Sequence, residues 1–451
     1  MRIHRAVAAL ALAAGLCGAT GASAEPSIYP TGVTRYDPAK ACNMFVLFSG
    51  ADDKTYLIDM DGNVVHRWDH PGFPAGMLDP ALAGGARGHV VLQLATIPVG
   101  GTGAIPGMPS VFSDKVLGEV DWDGKVVWQW GDQAPGGAAR QHHDWSRLPN
   151  GDTLVLSNLN RPLPGFKLKD LLDDVIYEVT PKGDIVWKWL AGDHLAEFGF
   201  TAKELALVRK SPAADYLHFN DMKVIGPNHW FRDGDKRFNP DNIMVSSRDA
   251  NFTLIIDKAT GHVVWRIGPH YAPSPPPGTP LKLPAAIDQI SGQHDPHLIP
   301  DGLQGAGDLL MFDNQGEAGF PAAELKVFPG SRVLEIDPVK KQIVWMYTGA
   351  NTAQQEPWTF YSSFISDARR LPNGNTFIDE GMNGRFIQIT PKGEIVWEYV
   401  SPYVGPQPRL VTNQVYRAQP VPYDWAPDGT PHAETAVAAP DLATFHVPQG
   451  K

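Results

Sequence analysis

One phrase recurs six times in this chain, and it limits the available folds more than any other feature. The copies read TYLIDMDGNVVHRW (55–68), LGEVDWDGKVVWQW (117–130), IYEVTPKGDIVWKW (176–189), TLIIDKATGHVVWRI (253–267), VLEIDPVKKQIVWMY (333–347) and FIQITPKGEIVWEY (386–399). Each is a strand-like run, a turn at Gly or Lys, and a second run carrying an aromatic ending, usually Val-Trp. Period-two alternation of apolar and polar residues argues for strands rather than helices. A further strand pair precedes most copies. It is clearest where RLPNG occurs, at 147–151 before DTLVLS and at 370–374 before NTFIDE. A unit is then four strands, A to D, with RLPNG as the A–B hairpin. Six such units predict an all-β, six-bladed β-propeller with four antiparallel strands per blade. Two stacked β-sandwiches would not require six like endings.

A chain of 451 residues is too long for a single simple core, which the repeat resolves. Residues 1–24 are expected to be a signal peptide. Arg2 and Arg5 precede the apolar run AVAALALAAGLCGAT, and ASA at 22–24 is a small-residue cleavage site. The propeller is placed at 25–425 and a C-terminal tail at 426–451. The expected location is periplasmic or secreted, with no membrane anchor. Once Cys17 leaves with the signal, Cys42 is the one cysteine, so no internal disulfide can form. Across the chain 49 acidic residues outnumber 38 Lys and Arg, which disfavours nucleic acid as a partner.

In an up-and-down blade, the B–C loops and D-to-A connections share one face. Nearly all the long segments fall there, which makes that face the place to build a site. The exception is 226–241, a long A–B turn on the opposite face. TAKELALVRK (201–210) reads as a short helix in a crossover, and 269–284 as a proline-rich surface loop. Strand A enters from the long-loop face beside the axis. Four entries align there: QHHD (141–144), HFND (218–221), QHDPH (293–297) and SFISD (363–367). The shared residue is Asp144, Asp221, Asp295 and Asp367. A feature that repeats with the blades is read as structural, tying backbone or neighbouring blades together. His218, His294 and Arg332 are read as functional, with His142, His143 and His297 nearby. Asn220, Arg248, Asn314, Ser363 and His143 are the expected substrate-binding residues. Histidines beside arginines and amides suit an anionic ligand.

These same segments resemble the bacterial arylsulfotransferase family. The resemblance rests on QHHDWSRLPNGDTLVL, NIMVSSRDANFTLIIDKATGHVVWRIG, QHDPHLIPDG, SRVLEID and FYSSFISDARRLPNGNTFIDEG, and runs from about residue 44 to 417. It implies an exported six-bladed propeller. It also implies sulfuryl transfer from a phenolic sulfate ester to another phenol, without a nucleotide donor, through a transiently sulfated histidine. By position it makes His218 and His294 active-site histidines and Arg332 the holder of sulfate oxygens. The family's nucleophilic histidine stands at the start of strand A in the last blade. Ser363 occupies that place here, so either His294 or His218 replaces the missing nucleophile or the chemistry is a different one. The implied partners are an aryl sulfate and a phenol, and neither a cofactor nor a metal is expected.

Three other functions compete. One is a non-catalytic propeller that binds a ligand or a protein on its loop face. Another is a metal-dependent hydrolase or lyase using His218, His294 and His297, although His-x-x-His on a strand sends the two rings to opposite faces. A quinone-dependent dehydrogenase shares the blade ending but normally uses more blades and an adjacent cysteine pair, absent here.

Overall fold

The computed structural model describes residues 30–98, 100–101, 110–269, 285–316, 330–350, 359–406, 411–439 and 441. The expected signal segment 1–24 and nearly all of the proline-rich stretch 269–284 lie outside these residues. Six antiparallel sheets form a ring, each built from four consecutive strands or their equivalent. The innermost strands are Ala418–Val421 in blade one, Gly76–Met77 in blade two and Gln141–Arg147 in blade three. They continue with Phe219–Val224, His294–Leu298 and Asp367–Arg370 in blades four to six.

The ring closes twice. Blade one takes its inner strand from the far end of the chain, with Phe45 paired to Val421 and Phe48 to Ala418. Blade six gains a fifth, outermost strand, Gly32–Tyr36, which pairs with Ile395–Val400. Beyond the last blade strand the chain stays attached, since Val437 bridges to Tyr36.

The core is a ring of six apolar layers, one between each pair of neighbouring blades. Phe45 and Leu47 pack toward blade two, whereas Val46 and Phe48 pack toward blade six. Both faces of a blade are therefore buried. For that reason the expected alternation with polar residues holds only in the outer strands. In the outer strand of blade five, residues 342–346 alternate exposed and half-buried, while Leu309–Asp313 is buried throughout.

The recurring aromatic endings now have a cause. The indole N–H of Trp68 donates to the Asp121 carbonyl, Trp189 to Gly261, Trp265 to Pro338, Trp345 to Pro391 and Trp397 to Met60. Each acceptor lies in or beside the C–D turn of the next blade. The repeated Arg of RLPNG makes a second clasp. Arg147 pairs with Glu119 and lies over Trp128; Arg370 pairs with Glu335 and lies over Trp345. In each case the partners belong to the preceding blade. The two turns match in detail, with Gly151 at φ 90° and Gly374 at φ 86°, where a side chain would be strained. The expected crossover helix forms at Ala202–Val208, with Thr201 and Glu204 as a capping box.

Trp397 clasps the blade pair where the ring closes. Trp397→Phe strands the Met60 carbonyl in a buried junction and is expected to cost about 1–3 kcal/mol. A lower urea midpoint would show it, and an unchanged midpoint would refute the clasp.

Candidate active site

The inner strands of blades three to six enter from the long-loop face through irregular backbone. A bulge interrupts pairing between Val155 and Ser157, between Phe219 and Asp221, and between His294 and His297. Left-handed φ angles occur at His143 (58°), His218 (52°), Asp295 (56°), Ile365 (60°) and Ser366 (91°). For β-branched Ile365 this is a strained conformation, and such strain gathers where side chains must be aimed.

His218 is gripped by Asp215. Its Nδ1 lies 2.6 Å from Asp215 Oδ2, and its backbone N–H donates to Oδ1 at 3.1 Å. Burial works against a charged ring, yet the Asp215 carboxylate outweighs it and lifts the His218 pKa above the usual histidine value. Arg248 is anchored here too, since its backbone N–H donates to the His218 carbonyl at 3.1 Å. Its guanidinium reaches Asp249 at 3.3 Å and lies 5.9 Å from the Phe364 ring.

His294 is fixed on both sides. Nδ1 lies 2.7 Å from Asn314 Oδ1, and the Ile365 N–H donates to Nε2 at 3.2 Å. The Asn314 amide is oriented in turn by donating to the Ser362 and Ile365 carbonyls. This network assigns the proton to Nδ1. Burial, reinforced by Arg248 and Arg417, lowers its pKa to about 3. Ser363 belongs to the same 362–366 segment and is half-buried, its carbonyl packed against Gly316.

His143 meets His218 edge to face, with ring centroids 4.7 Å apart. Its Nδ1 lies 2.8 Å from Nδ1 of His142. Burial holds His143 well below the ordinary histidine range and His142 at about 4, so both rings are neutral. A cavity of about 10 Å³ touches His142, His143, Asn158, Asp174 and Asp215. Over the histidines lies an apolar cluster of Phe73, Phe112, Phe364, Ile365 and Tyr416.

Below them, the four repeated aspartates surround three cations on the axis. Lys223 reaches Asp144 at 2.7 Å, and Asp221 and Asp295 at 3.8 Å. Arg417 reaches Asp144 and Asp221 at 2.8 Å, and Asp295 at 3.6 Å. Arg369 holds both oxygens of Asp295. Burial pushes Asp144 upward, but Arg417 and Lys223 outweigh it and keep the carboxyl below the usual range. Burial prevails at Asp221 and Asp379 and raises both, and it lifts Asp367 to about 7. The group is an inter-blade tie around the axis.

Of the residues singled out in the sequence, His143, His218, His294, Arg248, Asn314 and Ser363 gather at the loop-face end of the axis. Asn220 is buried beside them and donates to the Gln293 carbonyl. Arg332 lies two strands further out, and its Nε and Nη2 reach Asp313 Oδ2 at 2.7 and 2.6 Å. Its guanidinium is thus held by a carboxylate. His297 bonds Arg369 rather than joining His218 and His294. Among the described residues those three histidines do not form a metal-ligand group. Asp215, Tyr416 and Arg417 were missed. Tyr416 donates to the carbonyls of His143 and Asn220, bracing two blades. The signal for Asp215 was its place three residues before His218. Arg417 immediately precedes a strand that only ring closure brings to the axis.

Comparison with solved structures returns other proteins at low similarity. A protein of unknown function from Bacteroides caccae is 13% identical, with a TM-score of 0.43, covering 84% of this chain and 99% of its own. Virginiamycin B lyase from Staphylococcus aureus is 12% identical, with a TM-score of 0.36, covering 84% of this chain and 86% of its own. No protein of curated function matches the chain in sequence. No helix among the described residues is long and apolar enough to cross a membrane. The family model described as Arylsulfotransferase (ASST) matches residues 33–401, which takes in strands of every blade, so the chain belongs to the arylsulfotransferase family.

Proposed function

We propose that this protein transfers a sulfuryl group from a phenolic sulfate ester to a second phenol, without a nucleotide donor, and that His218 carries the group between them. The observation behind this reading is the unequal state of the histidines. His294 has both ring nitrogens engaged and a depressed pKa. His143 is buried and neutral. His218 is more open, with its side chain 11% exposed. Asp215 holds its Nδ1–H, which leaves Nε2 as the nucleophilic lone pair and raises its basicity. In the first step Nε2 attacks sulfur, the sulfur–oxygen ester bond breaks, and a phenolate leaves. In the second, the acceptor phenol's oxygen attacks sulfur, the N–S bond breaks, and His218 is restored. The proton lost by the acceptor balances the one taken up by the departing phenolate. Arg248 supplies charge for the sulfate oxygens, and the Phe73, Phe112 and Phe364 cluster offers apolar contact to the ring. Arg332 acts as a positioning residue through Asp313. Ser363 is not the nucleophile, because a serine hydroxyl needs a base to activate it and sulfated serine is a poor donor. The basic and apolar N-terminal stretch supports action in the periplasm or outside the cell.

The test is to mix purified protein with a chromogenic aryl sulfate and a phenol, then map any adduct by mass after a short exposure to donor alone. Turnover and a sulfated His218 are expected. An adduct on His294 or Ser363 would overturn the assignment. Absence of turnover over a panel of aryl sulfates would favour a non-catalytic binding role.

A further inference from the structure

We propose that His194, Glu197 and His262 form a binding site for a divalent transition-metal ion on the rim of the ring, joining blade three to blade four. His194 and Glu197 lie just beyond the outer strand Ile185–Leu190 of blade three. His262 lies in the C–D turn that leads into the outer strand Val263–Ile267 of blade four. The sequence gives no hint of the pairing, because the ligands come from different blades.

The geometry is that of a ligand set. Glu197 Oε1 is 3.0 Å from His194 Nδ1 and 3.2 Å from His262 Nδ1. The three ligand atoms all lie within 4.8 Å of one another. Donors about 2.0–2.1 Å from a shared tetrahedral ion stand about 3.3 Å apart, so little movement is needed to enclose one. The donors are also pre-oriented. The Val263 N–H donates to Glu197 Oε2 at 2.8 Å, turning Oε1 toward the histidines. The His194 ring stacks on Trp189 at 4.8 Å and 14°. Arg266 bonds the Glu197 backbone carbonyl at 3.4 Å.

Two imidazoles with one carboxylate select zinc or a neighbouring first-row ion over calcium or magnesium, which require oxygen ligands. His262 is 69% exposed, which leaves the remaining coordination positions open to water or to a ligand from outside. The place has a structural meaning as well. Trp189 donates to Gly261 at the same junction, so an ion here reinforces an existing clasp.

The test must separate the rim from the histidines at the mouth. Zinc chloride is titrated calorimetrically into the full-length protein and into His262→Ala, His194→Ala and His218→Ala. The expected result is that each rim variant binds one equivalent fewer, or at least tenfold more weakly, while His218→Ala keeps that equivalent. Zinc should also raise the thermal midpoint of the parent more than that of His262→Ala, because ligand binding to the folded state stabilises it. The proposal is overturned if the parent binds no zinc, if His262→Ala binds like the parent, or if only His218→Ala loses zinc. The outcome does not depend on the sulfuryl-transfer reading.

Discussion

His218→Ala is expected to lower kcat/KM for aryl-sulfate turnover by about 10³-fold or more, roughly 4 kcal/mol of transition-state stabilisation. The alanine removes the one ring nitrogen that is both open and held in the right tautomer. No neighbour replaces it, because the lone pair of His294 Nε2 already accepts from Ile365. Asp215→Asn supplies the finer test. The neutral His218 ring is the attacking form, so turnover should fall as pH drops through its pKa. Asp215 sets that pKa above the ordinary histidine value. Asparagine removes the charge, so the acid limb should move to lower pH while the plateau rate falls about 10²-fold. Circular dichroism and the thermal midpoint verify that both variants are folded. An acid limb that stays in place in Asp215→Asn would show that another group titrates.

Arg417→Met is expected to produce the largest loss of stability, about 3–5 kcal/mol, because it removes the closest buried partner of Asp221 and leaves Asp144 and Asp221 sharing Lys223. Arg417 is 5% exposed and contacts aspartates from blades three, four and five. Part of the charge would be relieved by protonation. Asp221 is already raised well above the usual range, and Asp144 would follow once Arg417 is gone. Loss of stability should therefore be larger at pH 8 than at pH 5, since protonated partners no longer need the guanidinium. Arg417→Lys keeps the charge but not the fork, and should fall between the two. Urea midpoints measure all three proteins. Arg417→Met within about 1 kcal/mol of the parent would remove the axial tie from the account.

The blades were legible because each repeats the same local problem. In blades four to six the strand pair ends in an aromatic that reaches the next blade, and that requirement writes Trp265, Trp345 and Trp397 at the same place in their Val-Trp endings. In blades one and three the donor is Trp68 or Trp189, near the end of the outer strand. The mouth was partly legible, because the aspartates of the inner strands share a register and the histidines sit beside them. The contribution of residues 416–421 was not. AQPV is too short to read as a strand, and nothing local states that it belongs beside residues 45–49. The partner of Arg332 was hidden for a similar reason. Asp313 faces it across a strand pair, and pairing across strands leaves no mark in sequence spacing. The resemblance placed Arg332 on sulfate, whereas its first neighbour in the structure is a carboxylate.

The double closure at blades one and six bears on how the molecule can be made. A chain leaves the ribosome from its N-terminal end, so five inner strands can be in place while blade one still lacks its own. That strand arrives in residues 418–421, and Arg417 and Tyr416 arrive just ahead of it. Until then Asp144 and Asp221 have no Arg417, and the backbone of the His143 segment lacks its Tyr416 brace. The alignment of the histidines at the mouth therefore depends on residues that follow them by more than a hundred positions. A molecule cut short near residue 415 would keep every residue proposed to do chemistry and would still lack the parts that aim them. Residues 416–421 therefore tie the closing of blade one to the aiming of the mouth, so a chain without them has neither.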